Sequence, residues 1–253
     1  RVGGWVVADD VTPPPGIEIR PLARVTGHGP SADLVDLADW AAWRWAGRAR
    51  TFLRAASPPG RVPALPPTPP PAPVATTVAP GPEVAAALAH PRGVLRLPPA
   101  ADRFAVVMAA LAATGPAAGP RARPGDHEPS APGGRTVGTG GAGDVLVLCP
   151  SVDSARGLTG RLRRAGVAVA CVAHHRPGRA AAVEWARAAA GGVTVVGARG
   201  GAWAPMPHLG RIVVLDEHDE GYAEEGSPTW HARDVVVERA RRVGAPVLLV
   251  SPT

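Results

Sequence analysis

Six short apolar runs recur along the last two-thirds of the chain, at 93–97, 145–149, 167–172, 193–196, 211–215 and 246–250. They are rich in valine and do not alternate polar with apolar, the pattern of strands covered on both faces. Stretches of helical character at 101–113, 153–165, 179–190 and 229–243 separate them. Strand–helix–strand order of this kind predicts an α/β fold, a mostly parallel sheet with flanking helices joined by right-handed crossovers.

Two segments interrupt the pattern. Residues 57–82 hold eleven prolines in 26 positions and read as a semi-rigid linker at a domain boundary. Residues 115–144, dense in Gly, Pro and Ala, read as a disordered insertion in the fold that occupies 83–253. That insertion contains Gly138-Thr-Gly-Gly-Ala-Gly143, which has the letters of a dinucleotide fingerprint but precedes a strand instead of following one. Ahead of the linker, Val2–Val7 and Ile17–Leu22 predict short strands around the turn Thr12-Pro-Pro-Pro-Gly16, giving a small β-containing unit at 1–30. A helical segment follows at 31–56, with Ser31 as its cap and Leu34, Leu37, Ala38, Ala41 and Trp45 on one apolar face. Trp40 and Trp43 lie off that face, either packed on the preceding strands or offering a stacking platform to nucleic-acid bases.

Composition excludes whole classes of chemistry. Among 253 residues there are 27 arginines and not one lysine, so neither a phosphate-loop lysine nor a Schiff-base lysine exists. Asn and Gln are also missing, a bias of coding sequence as much as of chemistry. The net charge of +6 favours anionic partners. It is unevenly spread: 150–210 carries eight Arg against Asp153 and Glu184, and 211–253 carries five Arg against eight acidic residues. Cys149 and Cys171 sit in apolar runs, as buried thiols of a reducing compartment do, and two cysteines alone cannot build a thiolate zinc site. With no apolar run near membrane-spanning length and no signal peptide, a cytoplasmic location is expected. A start at Arg1 and a stop just after a strand read as part of something longer.

The densest constellation is Gly210-Arg-Ile-Val-Val-Leu-Asp-Glu-His-Asp219, an apolar strand ending in ionisable residues. The carboxyl end of a parallel strand is where ligands bind, and Asp216, Glu217 and His218 fall there as candidates for holding Mg²⁺ and positioning water. Gly197-Ala-Arg-Gly-Gly-Ala-Trp-Ala-Pro205 follows another strand, with Arg199 suited to a phosphate and Trp203 to a base or a hydrophobic seam. Tyr222 and Trp230-His-Ala-Arg-Asp234 come next, and the last strand ends in Val250-Ser-Pro-Thr253.

The order and spacing of these motifs resemble the PriA family of replication-restart proteins, superfamily-2 DNA helicases. That family shows G-T-R-S-A-x-F-x-P, then L-G-L-I-V-V-D-E-E-H-D, S-Y, Y/W-H-A-R-D and G-S-A-T. Here His174, His175, Arg179 and Trp185 fit the family's preceding strand end and helix, 33–59 its helical segment, and 1–7 the tail of its DNA 3′-end-binding domain. The resemblance implies a RecA-like first motor lobe and a role in the replication-restart primosome. Implied partners are forked, branched or single-stranded DNA, single-stranded DNA-binding protein and the machinery that loads the replicative helicase. It implies ATP and Mg²⁺ as cofactors if the family activity is retained, and zinc only in a C-terminal region that, like the second lobe, these residues do not include.

Departures from the family cluster at nucleotide-handling positions. Where its Walker A loop G-V-T-G-S-G-K-T belongs, this chain has Leu97-Pro-Pro-Ala-Ala-Asp102-Arg103. Arg103 is a planar fork in place of a compact ammonium, and Asp102 adds negative charge beside a triphosphate. Leu215 replaces the Mg²⁺ carboxylate, so Asp216 would reach the ion only after a register slip. The expectation is a DNA-binding protein related to 3′–5′ helicases that has lost ATP turnover, as in the degenerate actinobacterial members of the family. The alternatives are a working helicase and an assembly module that binds no nucleotide. Expected DNA contacts are Arg199, Trp203 and the helix bearing Arg161, Arg163 and Arg164.

Overall fold

A computed structural model describes residues 3–7, 12, 14–16, 21–69, 80–114 and 143–252. Its centre is a six-stranded sheet, every neighbouring pair parallel, in the order β1-β6-β5-β2-β4-β3. The strands are β1 (Arg92–Leu97), β2 (Asp144–Leu148), β3 (Val169–Cys171), β4 (Thr194–Gly197), β5 (Leu209–Val214) and β6 (Val247–Pro252). Helices α1 (Ala32–Arg44), α2 (Ala49–Ala56) and α3 (Pro82–Ala89) precede β1, and α4 (Arg103–Ala112), α5 (Val152–Arg164), α6 (Arg179–Ala190) and α7 (Ala232–Val243) connect the strands. This is the architecture of a RecA-like motor lobe.

Strand residues alternate between two apolar layers. Val145, Val147, Val213 and Leu215 bury against α4 and α5, while Leu146, Leu148, Ile212 and Val214 face α7, α1 and α2. Continuous valine-rich runs follow directly, because both faces of these central strands are covered. At the β1 edge the expectation fails: Arg92, Val94 and Arg96 are exposed and Gly93 and Leu95 buried, since only the α3–α4 side is covered. Gly93 is required there, because a Cβ would collide with the carbonyl oxygen of Ala87 in α3.

The helical segment is part of the same core. Leu34, Leu37, Phe52 and Leu53 share a layer with Leu148, Trp203 and Val235. A chain of rings runs Trp40–Trp45–Phe52–Trp203–Trp230, with centroids 5.3 to 6.1 Å apart. The proline-rich stretch is docked along its described part: Val62 buries against Ala182, Trp185 and Ala186, and the Thr68 hydroxyl donates to the Ala190 carbonyl at 2.7 Å. Prolines leave few backbone donors to satisfy, so such a strap can lie on a helix without forming an element of its own.

Residues 3–7 form no strand, contrary to the sequence pattern. Instead Trp5 packs on the α1–α2 layer, and its indole N–H donates to the Ser57 hydroxyl at 2.8 Å. Most of the second expected strand at 17–22, and the fingerprint-like 138–143 apart from Gly143, lie outside the described residues. Among the described residues, no helix is long and apolar enough to cross a membrane.

Candidate functional site at the strand ends

The loop after β1 has inverted polarity for a phosphate loop. Pro98 and Pro99 have no N–H to offer, and the carbonyls of the loop turn inward. Onto them folds Arg103, whose Nη1 donates to the carbonyl oxygens of Pro98 (3.2 Å), Pro99 (2.7 Å) and Ala101 (2.7 Å). Its Nε and Nη2 donate to Oδ1 of Asp216 at 3.3 and 2.9 Å. Phosphate loops gather N–H donors around an anion. Here carbonyl oxygens gather around a cation that belongs to the chain itself.

Asp102 caps α4, accepting from the Phe104 N–H at 3.0 Å. Both its oxygens also receive Arg161, at 2.8 and 2.6 Å, and the Arg161 hydrogen bonds hold the Asp102 carboxyl below the usual carboxylate range. The same guanidinium lies 4.3 Å from the centroid of the Phe104 ring. Arg161, expected as a DNA contact, is therefore tied to this loop.

At the end of β5 the register does not slip. The Leu215 N–H donates to the Leu148 carbonyl at 2.9 Å, continuing the β5–β2 pairing, and the Leu215 side chain is 5% exposed in the α4–α5 layer. Asp216 reaches the β1 loop by another route, a left-handed backbone with φ of 48° that swings its carboxylate toward Arg103. Glu217 is held by Arg233 of α7 at 2.7 Å, and its N–H donates to the Val250 carbonyl at 2.9 Å. His218 is exposed. Each of the two candidate Mg²⁺ carboxylates thus faces a guanidinium, and among the described residues no group of three His, Cys, Asp or Glu side chains is placed to hold a metal ion. That donor set does not fit Mg²⁺, which takes free carboxylate oxygens.

Packing around the strand ends is apolar and tight. Tyr222 is fully buried and donates to the Leu215 carbonyl at 2.6 Å, and burial raises its phenol far above the ordinary value. Burial also pushes the Cys149 thiol up to about 12. Gly221 is needed beneath this turn, because a Cβ there would meet the carbonyl oxygen of Pro150 at 2.5 Å. His231 caps α7, its Nδ1 accepting from the Arg233 N–H at 3.2 Å, and burial followed by the nearby Arg233 holds the ring below its usual pKa. Helix α7 begins after this cap, three residues later than the sequence pattern indicates.

Arg199 and Trp203 are also placed differently from a DNA-reading pair. Arg199 donates to the Ala223 carbonyl at 2.7 Å and meets Glu224 at 3.3 Å, pinning the segment after Tyr222. Trp203 is 1% exposed between Phe52 and Trp230, so it lines the hydrophobic seam and presents no face to a base. Arg163 donates to the Val169 carbonyl and pairs with Glu184, each at 3.2 Å. The cations that carry no ion pair among the described residues include Arg156, Arg164, Arg176 and Arg179. Arg156 and Arg179 line a groove of about 760 Å³ between α5 and α6, together with Arg163 and His174. The locking partner Arg233 was visible in the H-A-R-D motif, but nothing in the sequence pairs it with Glu217.

No family model matches the chain. Individual relatives do, over part of its length. The chain is similar to bacterial PriA proteins. It is 42% identical over 59 residues to the replication restart protein PriA of Bacillus subtilis, covering 23% of this chain and 7% of that protein. With PriA of Chlamydia pneumoniae it shares 41% over 71 residues, 27% of this chain and 10% of the relative. With PriA of Synechocystis it shares 33% over 112 residues, 43% and 14% respectively. The matches therefore cover a minor part of each PriA relative. What the chain shares with these relatives is a stretch of sequence and a sheet of RecA-like architecture.

Proposed function

We propose that this chain is the first motor lobe of a PriA-like replication-restart protein that engages DNA and primosome partners without turning over ATP. The observation that carries the reading is Arg103, enclosed by three loop carbonyls and paired with Asp216, where a phosphate loop would hold nucleotide. Binding a triphosphate there would require expelling a guanidinium, reorienting the carbonyls and finding N–H donors that two prolines do not supply. Losing the metal carboxylate at Leu215 removes a further electrostatic contribution, of several kcal/mol in comparable sites.

DNA contact on this reading falls to the cations left without ion pairs, Arg156, Arg164, Arg176 and Arg179, on and beside the α5–α6 groove. They suit phosphates and read no sequence. Titration of the chain with Mg²⁺-ATP, followed by calorimetry, is expected to show no saturable binding. Micromolar affinity abolished by Glu217→Gln overturns the reading. In parallel, affinity for a forked DNA is expected to fall steeply with salt. Arg156→Glu and Arg179→Glu should each make the log–log slope shallower by roughly one, as counterion release requires when a phosphate is no longer neutralised. An affinity indifferent to both salt and these variants removes the DNA part of the proposal.

A further inference from the structure

The two edges of the sheet are finished differently. At the β3 edge, outward backbone groups are engaged by side chains: Glu184 accepts from the Cys171 N–H at 2.7 Å, and Arg163 donates to the Val169 carbonyl. An edge engaged in this way is a poorer template for an incoming strand. At the other edge, the Val247 N–H donates to the Pro91 carbonyl at 2.9 Å, which fixes which residues of β1 face β6. By strand alternation the N–H and C=O groups of Gly93, Leu95 and Leu97 follow Pro91 toward β6, while those of Arg92, Val94 and Arg96 point outward. Among the described residues no backbone group meets them.

The side chains of these three residues form one exposed row, with Val94 60% exposed between two arginines. Beside the row lies a groove of about 370 Å³ that includes Trp40, Arg44, Arg92 and half-buried Leu249; its two carboxylates, Asp234 and Glu238, are paired with Arg233, Arg241 and Arg242. Arg44, Arg92 and Arg96 carry no ion pair among the described residues. Unpaired amides, an apolar centre and flanking positive charge coincide on one strand.

We propose that β1 is a docking edge for an extended acidic segment of a partner protein, which adds as a further strand. Its alternate residues would place carboxylates beside Arg92 and Arg96 and an apolar side chain beside Val94, a pattern of acidic-x-apolar-x-acidic. Main-chain hydrogen bonds supply affinity and the alternate side chains supply selection, as in other cases of strand addition. Single-stranded DNA would use the cations but not the outward amides, so the open edge favours a peptide. The groove touches the strand-end site at Arg233, the partner of Glu217, but the docking edge itself does not depend on the nucleotide reading.

The test uses the 253-residue chain and a fluorescein-labelled Ser-Asp-Thr-Val-Thr-Asp-Ser peptide, followed by anisotropy. Saturable binding is expected, with Val94 and Arg96 amides gaining hydrogen-exchange protection. Val94→Pro removes an outward donor at an edge position where proline is tolerated, and should weaken binding about tenfold. Arg92→Glu with Arg96→Glu leaves the backbone intact; it should abolish binding of this peptide and create binding of its Asp-to-Lys counterpart. Unchanged affinity in Val94→Pro, or failure of the charge swap, overturns the proposal. So does displacement of the peptide by oligo-dT whose own binding is lost in the charge-reversed variant but kept in Val94→Pro, which would make this a nucleic-acid surface. Self-association abolished by Val94→Pro without peptide binding would make it an interface between copies, and equally overturns it.

Discussion

Arg103 is the residue on which the nucleotide question turns, and its meaning depends on geometry that composition cannot supply. A missing lysine marks the phosphate loop as altered, but the sequence leaves open whether arginine stands in for it. The structure places the guanidinium against three carbonyls and a carboxylate, an arrangement only a planar fork can satisfy. Arg103→Lys should therefore cost about 1–2 kcal/mol in urea unfolding, through hydrogen bonds an ammonium cannot reach together. It should also leave Mg²⁺-ATP binding undetectable by calorimetry, because Pro98 and Pro99 still provide no donors. Asp216 was legible as a strand-end carboxylate, whereas its left-handed backbone was not, since nothing in the letters distinguishes that bend from a register slip. Arg239 makes the opposite point. It is 2% exposed, its Nε and Nη2 make no hydrogen bond among the described residues, its Nη1 donates to the Ala202 carbonyl at 3.3 Å, and Nη2 meets half-exposed Asp33 only at 3.8 Å. Burial drives its pKa down. Replacing a poorly satisfied buried cation by an apolar side chain of similar length removes a desolvation cost, so Arg239→Met should stabilise the fold by on the order of 1–2 kcal/mol, measured by chemical denaturation.

At the scale of elements, the continuous valine runs of strands covered on both faces locate β2, β4, β5 and β6 within two residues. Edge strand β1 was placed as closely, but its one-sided exposure was not legible. Strand β3 spans only Val169–Cys171, and Arg163 and Glu184, from flanking helices, engage outward backbone groups there. That arrangement is testable. Glu184→Ala frees the Cys171 N–H and removes the ion-pair partner of Arg163, which should lower stability by about 1–3 kcal/mol and allow edge-to-edge pairing. Sedimentation velocity should then show concentration-dependent association that the parent chain lacks. The proline strap was legible as extended chain but not as docked chain, because what it docks on, Trp185 and its neighbours in α6, lies more than a hundred positions away. Trp203 was legible as either a base-stacking or a seam residue; the sequence did not decide between them, because Phe52 and Trp230, which enclose the ring in the seam, arrive from distant elements.

For the whole molecule, acid–base behaviour follows from where carboxylates are buried. Asp144, at the start of β2, is 6% exposed, and burial raises its pKa to about 6, partly countered by the backbone N–H of Gly192 at 3.2 Å. A carboxyl that holds its proton in the folded state up to about 6, and in the unfolded state only to 3.8, destabilises the fold at neutral pH. Its contribution makes the protein more stable as pH falls from about 6 toward 4, by at most on the order of 3 kcal/mol. Asp102 and Glu238, held low by arginines, give up their stabilisation only at the lower end of that range and below it, as pH falls through their depressed values. His231 acts in the opposite sense, losing stability as pH drops through the ordinary imidazole range, so the comparison that isolates the effect is with Asp144→Asn. That variant should be more stable than the parent at pH 7 and lose its advantage near pH 4.5. The seam of rings has an optical consequence. Trp40, Trp45, Trp203 and Trp230 stand within energy-transfer range of one another, Trp5 and Trp185 are sheltered nearby, and Trp43 alone stands in water at 78% exposure. Iodide should extinguish one red-shifted emitter and spare the others. The quenched fraction is then a direct gauge of whether the two leading helices are seated on the sheet.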